Sequence, residues 1–229
     1  WQYILSDSSL WNALFLSLWT TVVGTVLALL ITSLMAYPLS KSYFKIGRIV
    51  MMYIIFTMIF KAPMVPYFLT LRTMGLYNNV LVLILPHIMT AYNVAIVRTF
   101  FKAFPAEVED AAKIDGCGYF RTLFQVVLPS SKAVLTTVGL FYAVTMWNQF
   151  QHPMMFIQKS DLFPLQMKIR QVLNGGADVG GVTTVANLNY NINTLTAATV
   201  IFAMIPIVTI YPILQKYFEQ GAMLGSVKG

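Results

Sequence analysis

AEVEDAAKIDGCGYFRTLFQVVLP, residues 106–129, decides the reading of this chain, because it is a polar helix-turn-helix set between strongly apolar segments. Pro105 stands where the first helical position falls. Glu107, Glu109 and Asp110 crowd the first turn, where the helix dipole favours carboxylates. Val108, Ala111, Ala112 and Asp115 recur at i, i+3, i+4 and i+7, a narrow face of small side chains that another protein can approach closely. Gly116 ends the helix. Phe120, Leu123, Phe124, Val127 and Leu128 then repeat the helical period up to Pro129, which is expected to hold Leu128 in extended geometry. The pattern predicts a bent docking element and not a membrane span.

Outward from this stretch the composition changes character. Of 229 residues, 58% are hydrophobic and 10% charged, and the mean hydropathy is +0.70; such a chain cannot cover itself with polar surface. Apolar runs at 14–39, 49–71, 80–101, 133–150 and 195–217 each approach or exceed the roughly 20 residues that a helix needs to cross the hydrocarbon. Backbone groups in lipid must be satisfied within the segment, and these runs are too long for barrel strands. The fold class expected is therefore all-α, a polytopic membrane bundle with five spans in a single domain over 1–229. The segment 105–129 is its docking loop, and 151–194 is a long non-helical loop on the other side.

Basic residues accumulate in cytoplasmic loops. Lys41, Lys45 and Arg48 follow the first run; Arg98, Lys102, Lys113, Arg121 and Lys132 surround the docking loop; Lys216 and Lys228 close the chain. The alternate loops hold Arg72, Lys159, Lys168 and Arg170, fewer charges over a longer stretch. The docking loop and the C-terminus are thus expected in the cytoplasm, with Trp1 outside. The net charge of +7 reads as a topology signal, since no exposed basic domain exists to bind nucleic acid.

Chemistry of its own is not legible in the chain. Cys117 has no cysteine partner and sits between two glycines, which gives it no redox role. His87 and His152 lie far apart, without Cys or carboxylate clusters at metal-ligand spacing. No nucleophile is paired with a base, and no G-x-x-x-x-G-K-[ST] phosphate loop occurs.

At residues 106–129 the chain resembles the membrane subunits of binding-protein-dependent ABC importers, whose cytoplasmic loop carries EAA, three residues, Gly, nine residues and Ile-x-Leu-Pro. Asp110-Ala111-Ala112 stands for the triplet, Gly116 for the glycine and Val126-Val127-Leu128-Pro129 for the ending. The wording EVEDAAKIDGCGYF followed by VVLP is similar to the carbohydrate-uptake branch, in particular to the second maltose permease component. The approach YPILQKYFEQG to the C-terminus looks like Gram-positive permeases for complex oligosaccharides.

The resemblance implies a type I importer permease of six spans with a cytoplasmic N-terminus. One helix is then expected ahead of Trp1, which is not an initiator Met. It implies a second homologous permease, two cytoplasmic ABC ATPase subunits that use ATP and Mg, an extracellular solute-binding protein, a carbohydrate substrate and a bacterial cell membrane. No cofactor is expected on this chain. The ATPase-coupling residues implied are Glu107, Glu109, Asp110, Ala111, Ala112, Asp115, Gly116, Leu128 and Pro129. Asp110 is the preferred polar anchor. Glu107 and Glu109 serve either as anchors or as dipole-stabilising groups with solvated heads.

The ending Leu224, Gly225, Ser226, Lys228 and Gly229 resembles the tail that reaches the ATPase in sugar permeases; a frayed terminus is the alternative. The polar, Gly-rich stretch with Asn174, Gly175, Gly176, Gly180 and Gly181 corresponds to a loop that enters the binding protein, with passive connection the alternative.

Three residues are candidates for a translocation path. Lys61 lies about 18 Å into its run, near the bilayer centre, and Pro63 and Pro66 beside it suggest a broken helix. It faces a water-filled path, where it would meet an acidic sugar, or snorkels outward. Tyr142 and Asn148 belong to an aromatic cluster with Phe141, Trp147 and Phe150, and Trp147-Asn148 resembles a pair in sugar permeases. Aromatic faces stack on sugar rings, while Trp147 and Phe150 are better read as an interfacial belt. The rivals are an ABC importer for amino acids, peptides or metals, and, from another class, a stand-alone channel or membrane enzyme.

Overall fold

The computed structural model describes residues 6–173, 197–206 and 208–209. Every element among the described residues is a helix or a turn. The first helix, α1 (Ser8–Ser40), has 33 residues, about 50 Å at 1.5 Å per residue, more than the hydrocarbon thickness. It begins before the apolar run at 14. Asp7 is the reason: its Oδ1 accepts from Ser9 N at 2.9 Å and its carbonyl from Leu10 N at 3.2 Å, which caps the first turn. Hydroxyls along α1 bond back to the helix, as Thr20 Oγ1 does to the Leu16 carbonyl at 2.9 Å, so polar residues ride in it at little cost.

The other apolar runs are interrupted. Run 49–71 is two helices, α2 (Gly47–Ile59) and α3 (Met64–Thr73), parted at 60–63. Pro63 disfavours helical geometry at Ala62, and Pro66 falls in the first turn of α3, where its missing N–H has no intrahelical acceptor to lose. Run 80–101 opens as two tight 3-10 turns, Val80–Leu83 and Leu85–His87, before α4 (Ala91–Lys102). Next come α5 (Ala106–Ile114) and the helix α6 (Tyr119–Ser130), which meets α7 (Lys132–Trp147) at 86°. Among the described residues one helix is long and apolar enough to cross a membrane, or up to four if each interrupted pair is one span. The fifth run contributes α10 (Ala197–Pro206), with the rest of it outside the described residues.

The stretch 151–194 is not the continuous non-helical loop that its composition predicts. Its first part forms α8 (Gln151–Phe156) and α9 (Leu165–Leu173), because Leu165, Met167 and Ile169 bury apolar side chains in two clusters. Residues 174–194, with Asn174, Gly175, Gly176, Gly180 and Gly181, lie outside the described residues, as do Leu224, Gly225, Ser226, Lys228 and Gly229.

The chain gathers into two compact units. The first comprises Trp1–Gly24, Ala62–His87 and Ala143–Ile213. One of its cores joins Leu10, Trp147, Leu165 and Phe202; the other joins Leu76, Leu83, Phe156 and Phe163. Long-range polar bonds pin these cores: Leu165 N donates to Ser17 Oγ at 2.8 Å, and Gln149 Nε2 to the Leu83 carbonyl at 3.1 Å. At Gly24 the Met146 thioether lies directly against the backbone of α1, so any side chain there would have to displace it.

Asn78 holds the 156–159 backbone. It has φ of 53°, a left-handed geometry that asparagine tolerates better than most residues. Its N–H donates to the Phe156 carbonyl at 2.9 Å, and its Oδ1 accepts from Gln158 N at 2.6 Å and Lys159 N at 3.3 Å. Asn78→Ala removes both the acceptor and the tolerance of positive φ, and should cost about 1–2 kcal/mol. Asn78→Gly keeps the geometry and should cost less. Thermal unfolding in detergent checks the order, and equal midpoints for the two variants would refute it.

The second unit comprises Thr25–Lys61, Ile88–Tyr142 and Leu214–Gly229. Its apolar centre joins Leu39, Ile54 and Val94. Tyr142 is fully buried; its hydroxyl shares a 2.7 Å hydrogen bond with Thr32 Oγ1 and accepts from Thr90 N at 3.2 Å. One side chain thus ties α7 to α1 and to the start of α4.

Candidate functional site

The docking element forms as the spacing predicts, with differences of register. Pro105 is not the first helical residue but the one before it, with φ −58° and ψ 127°. Glu107 and Glu109 occupy the first turn. At the other end Gly116 has φ of +79°. This left-handed residue lets Gly116 N reach the Lys113 carbonyl at 3.0 Å and Cys117 N the Ala112 carbonyl at 2.9 Å, closing the helix as a glycine terminator does. A Cβ at Gly116 would meet nothing within 4 Å. The backbone, not crowding within this chain, calls for glycine.

The faces of α5 divide differently from the small-residue face expected. Ala112 turns inward beside Glu109, three residues earlier and on the same side. Val108, Ala111 and Asp115 stay exposed with Glu107 and Asp110. Ile114 is 87% exposed. In α6, Leu123 and Val127 are buried, whereas Tyr119, Phe120 and Phe124 are exposed. Ile114, Tyr119, Phe120 and Phe124 thus form an exposed apolar group beside the carboxylates of α5. Periodicity alone assigns Phe120 and Phe124 to the inner face together with Leu123; in the structure the buried side is that of Thr122, Leu123 and Val127.

Leu128 is helical, with φ −62° and ψ −46°, and not extended. The helix widens over Leu123–Val127 into a π turn in which Leu128 N reaches the Leu123 carbonyl. Such a turn accommodates Pro129 without breaking the helix, and overrides the extended preference of the residue before proline.

The carboxylates of α5 have different partners. Asp110 Oδ1 accepts from Lys113 Nζ at 2.8 Å on the surface, and this contact raises the Lys113 pKa. An exposed pair of this kind contributes little to stability and leaves Asp110 available to a partner. Glu109 is otherwise disposed. It forms a buried ion pair with Lys41, just past the end of α1. The Lys41 ammonium also lies 4.7 Å from the centre of the Tyr37 ring. Nearby, Arg98 Nε donates to the Leu39 carbonyl at 2.8 Å, and the Tyr43 and Tyr119 rings meet at 5.9 Å. Burial, then the neighbouring Tyr119 and Glu109, raise the Tyr43 pKa. Neither Lys41 nor its pairing is legible in sequence, because 68 residues separate the two charges.

The path candidates differ in exposure. Lys61 is exposed, in the break between α2 and α3. Tyr142 is buried and braced as described. Asn148 is exposed, and its amide donates to the Val144 carbonyl of its own helix at 2.9 Å. Trp147 is buried in the core with Leu10 and Leu165 rather than placed in an outer aromatic belt. Phe150 packs on the other core of that unit, under the Arg170 guanidinium at 4.8 Å.

His87 and His152, remote in sequence, meet with ring centres 4.4 Å apart. His152 Nε2 is 2.7 Å from the Tyr67 hydroxyl. Among the described residues no group of three or more His, Cys, Asp or Glu is placed to hold a metal. Burial lowers the His152 pKa below its ordinary 6.5, so the fold favours the neutral ring. As pH falls below about 6.5 the unfolded chain takes up this proton first. The stabilisation is therefore complete above that pH and is lost as pH falls through the lower folded value. The melting temperature of the purified protein should drop with acidification below about pH 6.5, and His152→Phe should shrink the drop; an identical acid limb in the variant would refute the assignment.

A strongly apolar chain whose described residues are helical, with one bent, glycine-terminated polar element, has the make-up of a membrane protein. A family model described as binding-protein-dependent transport system inner membrane component matches residues 24–223, and the chain belongs to that family. The resemblance carried by Asp110, Gly116 and Pro129 is thereby borne out. The chain is similar to Protein LplC of Bacillus subtilis (strain 168), at 38% identity over 100% of this chain and 78% of that protein. It is similar to the polygalacturonan/rhamnogalacturonan transport system permease protein YtcP of the same organism, at 37% identity over 100% of this chain and 81% of that protein. The arabinooligosaccharides transport system permease protein AraQ of Halalkalibacterium halodurans is 31% identical over 99% of this chain and 78% of its own length. Among solved structures, a bacterial ABC transporter involved in the import of the acidic polysaccharide alginate matches with a TM-score of 0.87 and 29% identity, over 95% of this chain and 78% of that one.

Proposed function

We propose that this chain is the membrane-spanning permease subunit of an ATP-driven, binding-protein-dependent importer of oligosaccharides. The observation that carries the reading is the docking element, where Gly116 closes α5 and leaves Asp110, Ile114 and Phe120 outside for a partner. Relatives named for polygalacturonan, rhamnogalacturonan and arabinooligosaccharide transport, and a matching structure for alginate import, support the carbohydrate class. In this reading five spans cross a bacterial cell membrane, with the docking element and the C-terminus in the cytoplasm.

The chain performs no bond chemistry. Two ATPase subunits bind ATP and Mg and seat α5 and α6 in a groove. Asp110 meets a basic side chain of that groove, and Glu107 faces the same surface. The exposed Ala111 and the turn at Gly116 admit close backbone approach, while Ala112, Leu128 and Pro129 hold the shape behind them. A second permease completes the path, lipid surrounds both, and an extracellular solute-binding protein delivers the sugar to a loop that includes Asn174, Gly175, Gly176, Gly180 and Gly181. The tail at Leu224, Gly225, Ser226, Lys228 and Gly229 joins the ATPase contact.

Lys61 lies beside the path and favours anionic sugars, with Asn148 a further path candidate. Purification of the complex with its stable partners, followed by uptake of neutral and uronate-containing oligosaccharides, tests the reading. A self-sufficient oligomer with no ATPase attached would overturn the importer, and uptake confined to neutral sugars would remove the acidic substrate.

A further inference from the structure

We infer that the Lys41–Glu109 pair is the tie through which α5 moves the end of α1, and that it positions the coupling element without itself docking. The inference rests on the importer reading. The residues concerned all belong to the second compact unit. Helix α5 follows α4 through the three residues 103–105, so displacement of α5 reaches α4 along the backbone. It has no such covalent route to α1, which ended at Ser40, far earlier in the chain.

Glu109 and Lys41 supply one. Their side chains are 9% and 11% exposed, so the charges meet largely out of water. A nearly dry ion pair resists parting far more than a surface pair, since separation strands two charges in low dielectric. Its geometry is over-determined. The Tyr37 ring lies 4.7 Å from the Lys41 ammonium, Ser40 Oγ donates to the Tyr37 carbonyl at 2.6 Å, and Arg98 Nε caps the Leu39 carbonyl at 2.8 Å. The last bond binds the α1 end to α4 as well. Movement imposed on the outer face of α5, through Asp110 or Ile114, is thus delivered to α1 and α4 together. The Glu109 carboxylate faces inward, where a groove on another protein does not reach it.

The experiment compares Glu109→Gln, which keeps size and hydrogen bonding but removes the charge, with the exchanged pair Lys41→Glu/Glu109→Lys, in the purified complex with binding protein reconstituted in liposomes. The readout is sugar taken up per ATP hydrolysed. Glu109→Gln should retain the ATPase through purification yet lower this ratio by about tenfold, the scale of an ordinary coupling between sites. The exchanged pair should restore most of it. An unchanged ratio in Glu109→Gln would overturn the inference. So would a fall in uptake and hydrolysis together that the exchange fails to rescue, which describes a merely structural pair. Should the exchanged pair fail to assemble, Glu109→Asp replaces it: retention of charge with partial recovery supports the tie, and no recovery over Glu109→Gln overturns it. If the unaltered complex itself shows no ATP-dependent uptake, the importer reading has failed instead.

Discussion

Asp110→Lys is expected to abolish ATP-driven uptake, by about a hundredfold or more, while the protein still inserts and α5 still forms. The side chain is exposed and its only described partner is Lys113 on the same helix, so the substitution barely disturbs the fold. At a docking surface that receives a carboxylate it sets like charges together, which costs several kcal/mol in association. The Gly116 position sharpens the test. Gly116→Ala meets no atom within 4 Å and carries the left-handed strain of about 1–2 kcal/mol, whereas Gly116→Trp adds a bulky side chain on the surface proposed to meet the ATPase. Uptake should fall modestly in the first and vanish in the second, with ATPase lost on purification. Normal uptake by Asp110→Lys and Gly116→Trp would remove α5 from coupling altogether.

The second large effect is expected at Tyr142, and it concerns stability. Fully buried and bonded to Thr32 and to the Thr90 N–H, this side chain behaves as a brace. Tyr142→Ala should cost about 3–5 kcal/mol through the cavity left behind and yield little assembled complex. Tyr142→Phe keeps the ring but strands a buried hydroxyl and an N–H, at about 1–3 kcal/mol. A residue that lines a path behaves otherwise: removal of the hydroxyl alters substrate preference and leaves the melting temperature alone. Melting curves beside uptake of several sugars distinguish the two, and an unshifted midpoint in Tyr142→Phe would restore Tyr142 to the path.

The two helices of 106–129 and the glycine between them were legible, since their information is local. Carboxylates near a helix start, a glycine at its end and the helical period afterwards act within a turn or two of the chain. Errors there fall where locality fails. Leu128 is helical because a π turn absorbs Pro129, and Ala112 is buried on the side where Glu109 meets Lys41. The interruption of run 49–71 was signalled by Pro63 and Pro66, and α9 was legible as well, since Leu165, Ile169, Val172 and Leu173 recur at i, i+4, i+7 and i+8; only the six-residue α8 is too short to show a period.

The sequence by itself determined that this is a helical membrane protein with a polar helix-turn-helix at 106–129, and of which family. Hydrophobic length and helix punctuation are properties of consecutive residues, and no tertiary contact is needed to express them. Only the tertiary structure decided that Lys41 belongs to Glu109, that His87 meets His152, that Asn78 holds 156–159 and that Tyr142 is a brace. Those choices join residues far apart in the chain. A buried polar group must find a partner because leaving it without one costs more than ordering the chain around it, but which distant group answers is set by how the helices pack.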